Sequence, residues 1–155
     1  MKKVNFLIKL KKENRLEIVE PSEELKQSYI KKSESNLESS KILLDNNKLE
    51  ESISLTYYSM YHILTALLFK TGIKCENHSG SIILLKEIFD LNNSDISEAK
   101  TERIDKQYYT DFKITKEEIT EAIKNAEIFN ANLFDFISKL SNESIKKYRD
   151  KFSEL

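Results

Sequence analysis

Tryptophan is absent from this 155-residue chain, and glycine (2), proline (1) and cysteine (1) are nearly absent. Average usage would place roughly 11 glycines and 8 prolines in that length. So few turn formers and helix breakers argue against a β-sandwich, a barrel, a glycine-rich phosphate loop and a dinucleotide-binding fold. The lone Cys75 cannot form an internal disulfide, which suits a cytoplasmic setting. No apolar run reaches about 18 residues, so no membrane span is expected. The basic start, MKKVNFLIKLKKENR, lacks the apolar stretch and small-residue cleavage site of a secretory signal. What is abundant is charge, 33% of residues, beside 39% apolar residues. That mixture, at one domain's length, belongs to a helical domain able to bury one core rather than to a disordered chain.

Net charge is −1, which gives no overall push toward nucleic acid or membrane. The distribution is uneven, however. Lys2, Lys3, Lys9, Lys11, Lys12 and Arg15 against Glu13 give the first 15 residues +5, leaving −6 on the rest. Such an arm can meet phosphate, lie across an acidic surface of its own or a second subunit, or remain a solvated end. Arg15, Arg103 and Arg149 are the only arginines among 25 basic residues. Each stands out, because a planar guanidinium binds in ways an ammonium cannot.

Residues 4–18 read either as an alternating strand pair (Val4, Phe6, Ile8, Leu10, then Leu16–Val19) or as a short helix followed by an extended segment. Pro21-Ser22 with Glu23 and Glu24 starts a helix expected to run to about Asp45, its inner side Leu25, Tyr29, Leu37 and Leu43/Leu44. A second helix, about Lys48 to Thr71, is apolar nearly all round and ends at Gly72. A helix of that kind is buried on most sides or forms an oligomer interface. A loop over 73–77 leads to a third helix through Ile82–Phe89, and Ser94 or Asp95 caps a fourth carrying Ile96, Ala99, Arg103 and Ile104. After a loop at 108–112, Thr115 and Glu118 form a capping box for a fifth helix through Ile137. The expectation is an all-α, up-and-down bundle of about five helices: a basic N-terminal arm at 1–20, the bundle at 21–141 and a charged tail at 142–155.

Chemistry is sparse. Di-iron bundles need Glu-x-x-His pairs, and neither His62 nor His78 has a Glu three residues upstream. Cys75, Glu76 and His78 cluster, but with too few strong ligands for a structural zinc, so no metal or cofactor is expected. A Cys75–His78 dyad is conceivable, although a lone thiol after a helix end is ordinarily inert. Tyr57, Tyr58 and Tyr61 at helical spacing read mostly as core, with His62 as a hydrogen-bond partner.

The run Ile53-Ser-Leu-Thr-Tyr-Tyr-Ser-Met-Tyr-His62, then Ala66-Leu-Leu, Gly72-Ile and Asn77-His78-Ser79-Gly80, resembles the HEPN family (higher eukaryote and prokaryote nucleotide-binding domain). Glu102-Arg103 with Gln107-Tyr108 is similar to the family's Arg…Asp-Tyr element before the last helix. The start Val19–Leu25 resembles an archaeal branch with a short arm. The resemblance spans about residues 19–140. It implies a helical bundle that forms a homodimer. It also implies kinship with ribonuclease toxins, or with toxin-like partners of a minimal nucleotidyltransferase. The family's catalytic signature is an Arg followed four to six residues later by a His, assembled across the dimer cleft. This chain departs there, with Leu55 where related members carry Arg, and leucine cannot stabilise a phosphoryl transition state.

Three readings follow. The first is a non-catalytic homodimeric module that binds a nucleotide, an RNA or a nucleotidyltransferase partner through a cleft lined by Tyr58, His62, His78, Arg103 and Tyr108. The second is a metal-independent endoribonuclease with His62 as general base and Arg103 folded in as the substitute cation. The third is a structural dimer whose tyrosines and histidines are core.

Overall fold

The computed structural model describes residues 1–108 and 113–155, with side chains for all of these except 105–108. The order along the chain is α1 (Lys2–Lys12), β1 (Leu16–Ile18), α2 (Glu23–Asp45), α3 (Leu49–Thr71), β2 (Ile73–Cys75), α4 (His78–Glu87), α5 (Ser94–Tyr108), α6 (Lys116–Ser138) and α7 (Asn142–Ser153). The all-α bundle expected from the sequence is present as α2 to α6. The expected loop at 108–112 lies almost wholly outside the described residues.

Helix limits follow from local chemistry. Ser22 Oγ accepts from Leu25 N at 3.0 Å, Asn77 Oδ1 from Gly80 N at 2.8 Å, and Thr115 Oγ1 from Glu118 N at 3.1 Å. Each satisfies a donor that a helix start leaves open. Gly72 closes α3 in the left-handed region at φ 76°, where a side chain would be strained.

α2 and α3 form the most extensive helix pair, and their contact differs from expectation. Leu25 is 41% exposed, while Ile30, Ser33 and Ser40 are buried. Small residues let the two backbones approach, and their hydroxyls bond across the gap. Ser33 Oγ donates to Ser59 O at 2.6 Å, and Ser52 Oγ to Ser40 O at 2.7 Å. A buried hydroxyl with a partner costs little, which is how a serine seam can replace a leucine one. α5 and α6 pack on the other sides of α3, whose Ile53, Tyr57, Met60, Leu64 and Leu67 are the centre of the core.

The N-terminal ambiguity resolves as helix, then strand. β1 pairs antiparallel with β2 (Leu16 with Cys75, Ile18 with Ile73), not with residues 4–10. The extended stretch before α2 therefore gives residues 73–75, expected as loop, a hydrogen-bonding neighbour. α7 turns the charged tail into a packed helix. Its Phe152 is 2% exposed, and Arg149 Nη1 donates to Val19 O, Thr71 O and Gly72 O at 2.8, 3.0 and 3.0 Å. One guanidinium thus ties the end of α3 and the arm to the C-terminal helix.

Candidate functional site

Burial of most of α3 leaves one half-exposed stripe, Leu55, Tyr58, Tyr61, His62, Thr65 and Phe69, at spacings of three and four residues. His78, the first residue of α4, is set beside this stripe by the short β2 and the Asn77 cap. Arg103 reaches it from α5. Four of the residues expected at one site are therefore together. The backbone of Tyr108 ends α5, and its side chain lies outside the described residues.

Tyr58 is the hub. The Arg103 guanidinium lies 4.9 Å from the Tyr58 ring centre and 5.7 Å from that of Tyr57. Both are within cation–π range. His62 lies alongside Tyr58 at 6.0 Å, and His78 meets it edge-on at 6.2 Å. Tyr61 stacks on the His78 imidazole at 3.9 Å, with planes 15° apart. The Arg103 Nε is buried and has no hydrogen-bond partner among the described residues.

The hydrogen bonds differ from the expected Tyr–His62 pairing. Residues 57 and 62 are five apart on a helix, about 140° around its axis, and cannot face one another. The Tyr57 hydroxyl instead lies 2.9 Å from His78 Nδ1, and His62 Nδ1 lies 2.7 Å from Asn36 Oδ1 on α2. An amide oxygen only accepts, so His62 Nδ1 carries the proton and Nε2 is left as a bare acceptor. Tyr57 is fully buried, and His78 Nδ1 is the acceptor within reach of its hydroxyl, so His78 carries its proton on Nε2 as a donor. Two imidazoles in opposite tautomers share one face.

Charge states reinforce this. Burial, then Lys32 and His78, pulls His62 down from 6.5 to about 4. Burial, then Arg103 and Lys100, lowers His78 as well. Both rings are neutral at pH 7, and the fixed positive charge comes from Arg103, Lys100 and Lys32. Burial, more than the neighbouring Tyr61, raises the Tyr57 phenol and keeps it protonated.

Asn36 and Lys32 escaped the sequence reading, and Tyr29 was expected only on the inner side of its helix. Their spacing of three and seven residues on α2 does mark one helix face. Tyr29 lies 5.8 Å from the His62 ring and 5.5 Å from Phe69. The Cys75 thiol donates to Asn77 O at 3.3 Å and is not paired with His78. Among the described residues, no group of three or more His, Cys, Asp or Glu is placed to hold a metal ion. Among the described residues, no helix is long and apolar enough to cross a membrane. A cavity of about 230 Å³ between α5 and α6 contains none of the site residues. It is walled by Asp95, Glu98, Glu102, Glu118 and Glu121, which would repel phosphate. The candidate site is the half-exposed face that carries Tyr58, His62, His78 and Arg103, called the shelf below.

The HEPN domain profile matches residues 26–135, most of the bundle and all of the α3–α4 stripe. The chain belongs to the HEPN family. Among its relatives is "UPF0332 protein PH1297" of Pyrococcus horikoshii, 48% identical over 56 residues. That match covers 36% of this chain and 39% of the relative, so the chain spans well under half of that protein's length in the match. "Putative toxin MJ0142" of Methanocaldococcus jannaschii is 31% identical over 110 residues, covering 66% of this chain and 75% of the relative. Leu55 is the residue that the family resemblance sets where related members carry the signature arginine. Here it lies on the same stripe as Tyr58 and His62, and the cation of the site arrives from α5.

Proposed function

We propose that this HEPN protein is a homodimeric, toxin-like module that binds RNA or a nucleotide on the Tyr58–His62–His78–Arg103 shelf, with little or no catalytic power. The observation that carries this is Arg103: a guanidinium laid over the half-exposed ring of Tyr58 at 4.9 Å. An anion beside an aromatic face is what a nucleotide offers, phosphate to the cation and base to the ring. His62 Nε2 as acceptor and His78 Nε2–H as donor suit a ribose hydroxyl and a phosphate oxygen. Weak catalysis follows from a base held near 4, which has low proton affinity at neutral pH, and from Leu55 in place of arginine. A second copy would cover the apolar ends of the α3 stripe, Leu55 and Phe69, leaving Tyr58 open to the ligand. The toxin name of the Methanocaldococcus relative and the family resemblance make a minimal nucleotidyltransferase the natural partner.

A second reading has one observation in its favour. Opposed imidazole tautomers beside a guanidinium are the groups a metal-independent ribonuclease uses to move protons and hold a phosphate. Incubating labelled RNA with the protein in EDTA, beside His62→Ala and Arg103→Ala, separates the two. Binding without cleavage, weakened by Arg103→Ala, supports the module. Cleavage lost in both variants would replace it with the enzyme, and absence of both binding and cleavage would leave only a structural dimer.

A further inference from the structure

His62 stands between two helices that flank α3. Tyr58, one turn before it, meets Arg103 of α5, and His62 itself meets Asn36 of α2. The half-exposed stripe of α3 therefore has a neighbour on either side. On α2 the residues that reach it share one helix face at spacings of three and four: Tyr29, Lys32 and Asn36. Asn36 Oδ1 holds His62 Nδ1 at 2.7 Å, and the Tyr29 ring lies 5.8 Å from the imidazole. Tyr29 is braced in turn by Phe69, stacked at 5.5 Å with planes 14° apart. Lys32 Nζ lies over the Tyr29 ring, 5.4 Å from its centre. A ring face attracts an ammonium and leaves its charge uncancelled.

Lys32 has no ordinary duty on its helix. It stands near the middle of α2, too far from the last turn to answer the helix dipole. The residues three and four positions away are Ser28, Tyr29, Ser35 and Asn36, so no carboxylate is within reach along the helix. The ion pairs of α2 are made by Lys26 and Lys41, and none among the described residues goes to the exposed Lys32. The steps from Lys32 Nζ to the Tyr29, His62 and Tyr58 rings and on to the Arg103 guanidinium are 5.4, 5.8, 6.0 and 4.9 Å. One imidazole is thus bracketed by two cations, each laid over a tyrosine.

We infer that Lys32 is a second phosphate subsite of the shelf, so that the ligand is an RNA strand with phosphates on both sides of His62 rather than a mononucleotide. The inference rests on the RNA-or-nucleotide reading above and decides between its two ligands. A mononucleotide carries phosphate at one end of one ribose, and it takes the Arg103–Tyr58 side, where a cation and a half-exposed ring are offered together. A strand carries a phosphate on either side of each ribose and satisfies both cations. One phosphate contact on a single strand contributes about 0.7 to the slope of log affinity against log salt, or roughly fivefold in affinity at about 0.1 M salt.

The test compares UMP, followed by NMR titration, with a short labelled oligouridylate, followed by fluorescence anisotropy across salt. The full-length proteins are wild type, Lys32→Gln, Lys32→Arg and Arg103→Ala. Lys32→Gln is expected to bind the oligonucleotide about fivefold more weakly at about 0.1 M salt, to lose about 0.7 of slope, and to bind UMP as wild type does. Lys32→Arg keeps both affinities, and Arg103→Ala weakens both. Loss of both ligands in Arg103→Ala with the oligonucleotide unaffected in Lys32→Gln would keep the shelf and overturn the second subsite. Equal losses for UMP and oligonucleotide in Lys32→Gln would overturn it too, because Lys32 would then serve the same phosphate as Arg103. So would a Lys32→Gln protein whose mass by light scattering falls, which would assign the residue to the contact between copies. A wild-type protein that binds neither ligand would sink the shelf reading and this inference with it.

Discussion

The neutral state of His62 is open to a direct measurement. Its imidazole titrates near 4 in the folded protein against 6.5 in an unfolded chain. A histidine pKa depressed by folding leaves stability intact above the unfolded value and removes it as pH falls from 6.5 toward 4, because the unfolded chain takes up the proton first. Taken at face value, the shift costs about 2 kcal/mol of folding stability between pH 7.5 and 5. The ring is only half-buried and solvent screens the lysine charges, so about 1 kcal/mol is the realistic figure. His78, lowered in the same sense, adds to the loss. Urea unfolding at pH 7.5 and 5 for wild type and His62→Gln isolates the His62 share, since carboxylate titrations are common to both proteins. Glutamine can still donate to Asn36 Oδ1. The wild-type protein is expected to lose about 1 kcal/mol more than the variant over this window. Imidazole NMR titration gives the pKa itself. A His62 midpoint at or above 6.5, or equal acid destabilisation of both proteins, would refute the burial argument and with it the assignment of Nε2 as a standing acceptor.

The remaining expectations concern the frame around the shelf. Arg149→Met removes the donor from three backbone carbonyls and is expected to cost about 2–4 kcal/mol, lowering Tm by roughly 6–14 °C in a calorimetric scan. An unchanged Tm would mean those carbonyls find other donors. Gly72→Ala puts a Cβ 2.0 Å from Arg149 Nη1 and 2.5 Å from Val19 O at positive φ, and is expected to cost at least about 2 kcal/mol by urea denaturation. Arg103→Ala should leave the Tm within a few degrees while lowering RNA affinity and reducing the salt slope by about 0.7, read by fluorescence anisotropy at several salt concentrations. Light scattering at micromolar concentration should give twice the chain mass, and Leu55→Glu, which places a charge at the apolar end of the stripe, should shift it toward the monomer. A wild-type monomer at that concentration would remove the stripe from the dimer argument.

The bundle was legible because it is written locally. Ser22, Gly72 and Thr115 delimit helices through hydrogen bonds to residues three or four positions away, and the apolar period of α6 needs only its own sequence. The gathering of Tyr58, His62, His78 and Arg103 was legible in membership, through the resemblance carried by the Tyr-Tyr…His and His-Ser-Gly runs. Its pairing was not. Which imidazole a tyrosine bonds depends on where α2 and α4 place Asn36 and His78 around α3, a matter of helix packing and not of spacing along one helix. The same reason hid the serine seam, where Ser33 and Ser40 look exposed by composition and are buried by a close approach of backbones.

By itself, the sequence determined an all-helical domain, the ends of most of its helices, a basic start on an acidic body, and the residue types that could meet an anion. All of these follow from capping, periodicity, charge and the near-absence of glycine and proline, which act over a few residues. Tertiary structure alone decided the rest. It paired residues 16–18 with 73–75, laid α1 on Gly80, and sent Arg149 to carbonyls up to 130 positions away. It also brought Arg103 from α5 over Tyr58, because a contact between distant segments is chosen by the packing of the whole core and leaves no periodic trace in the chain.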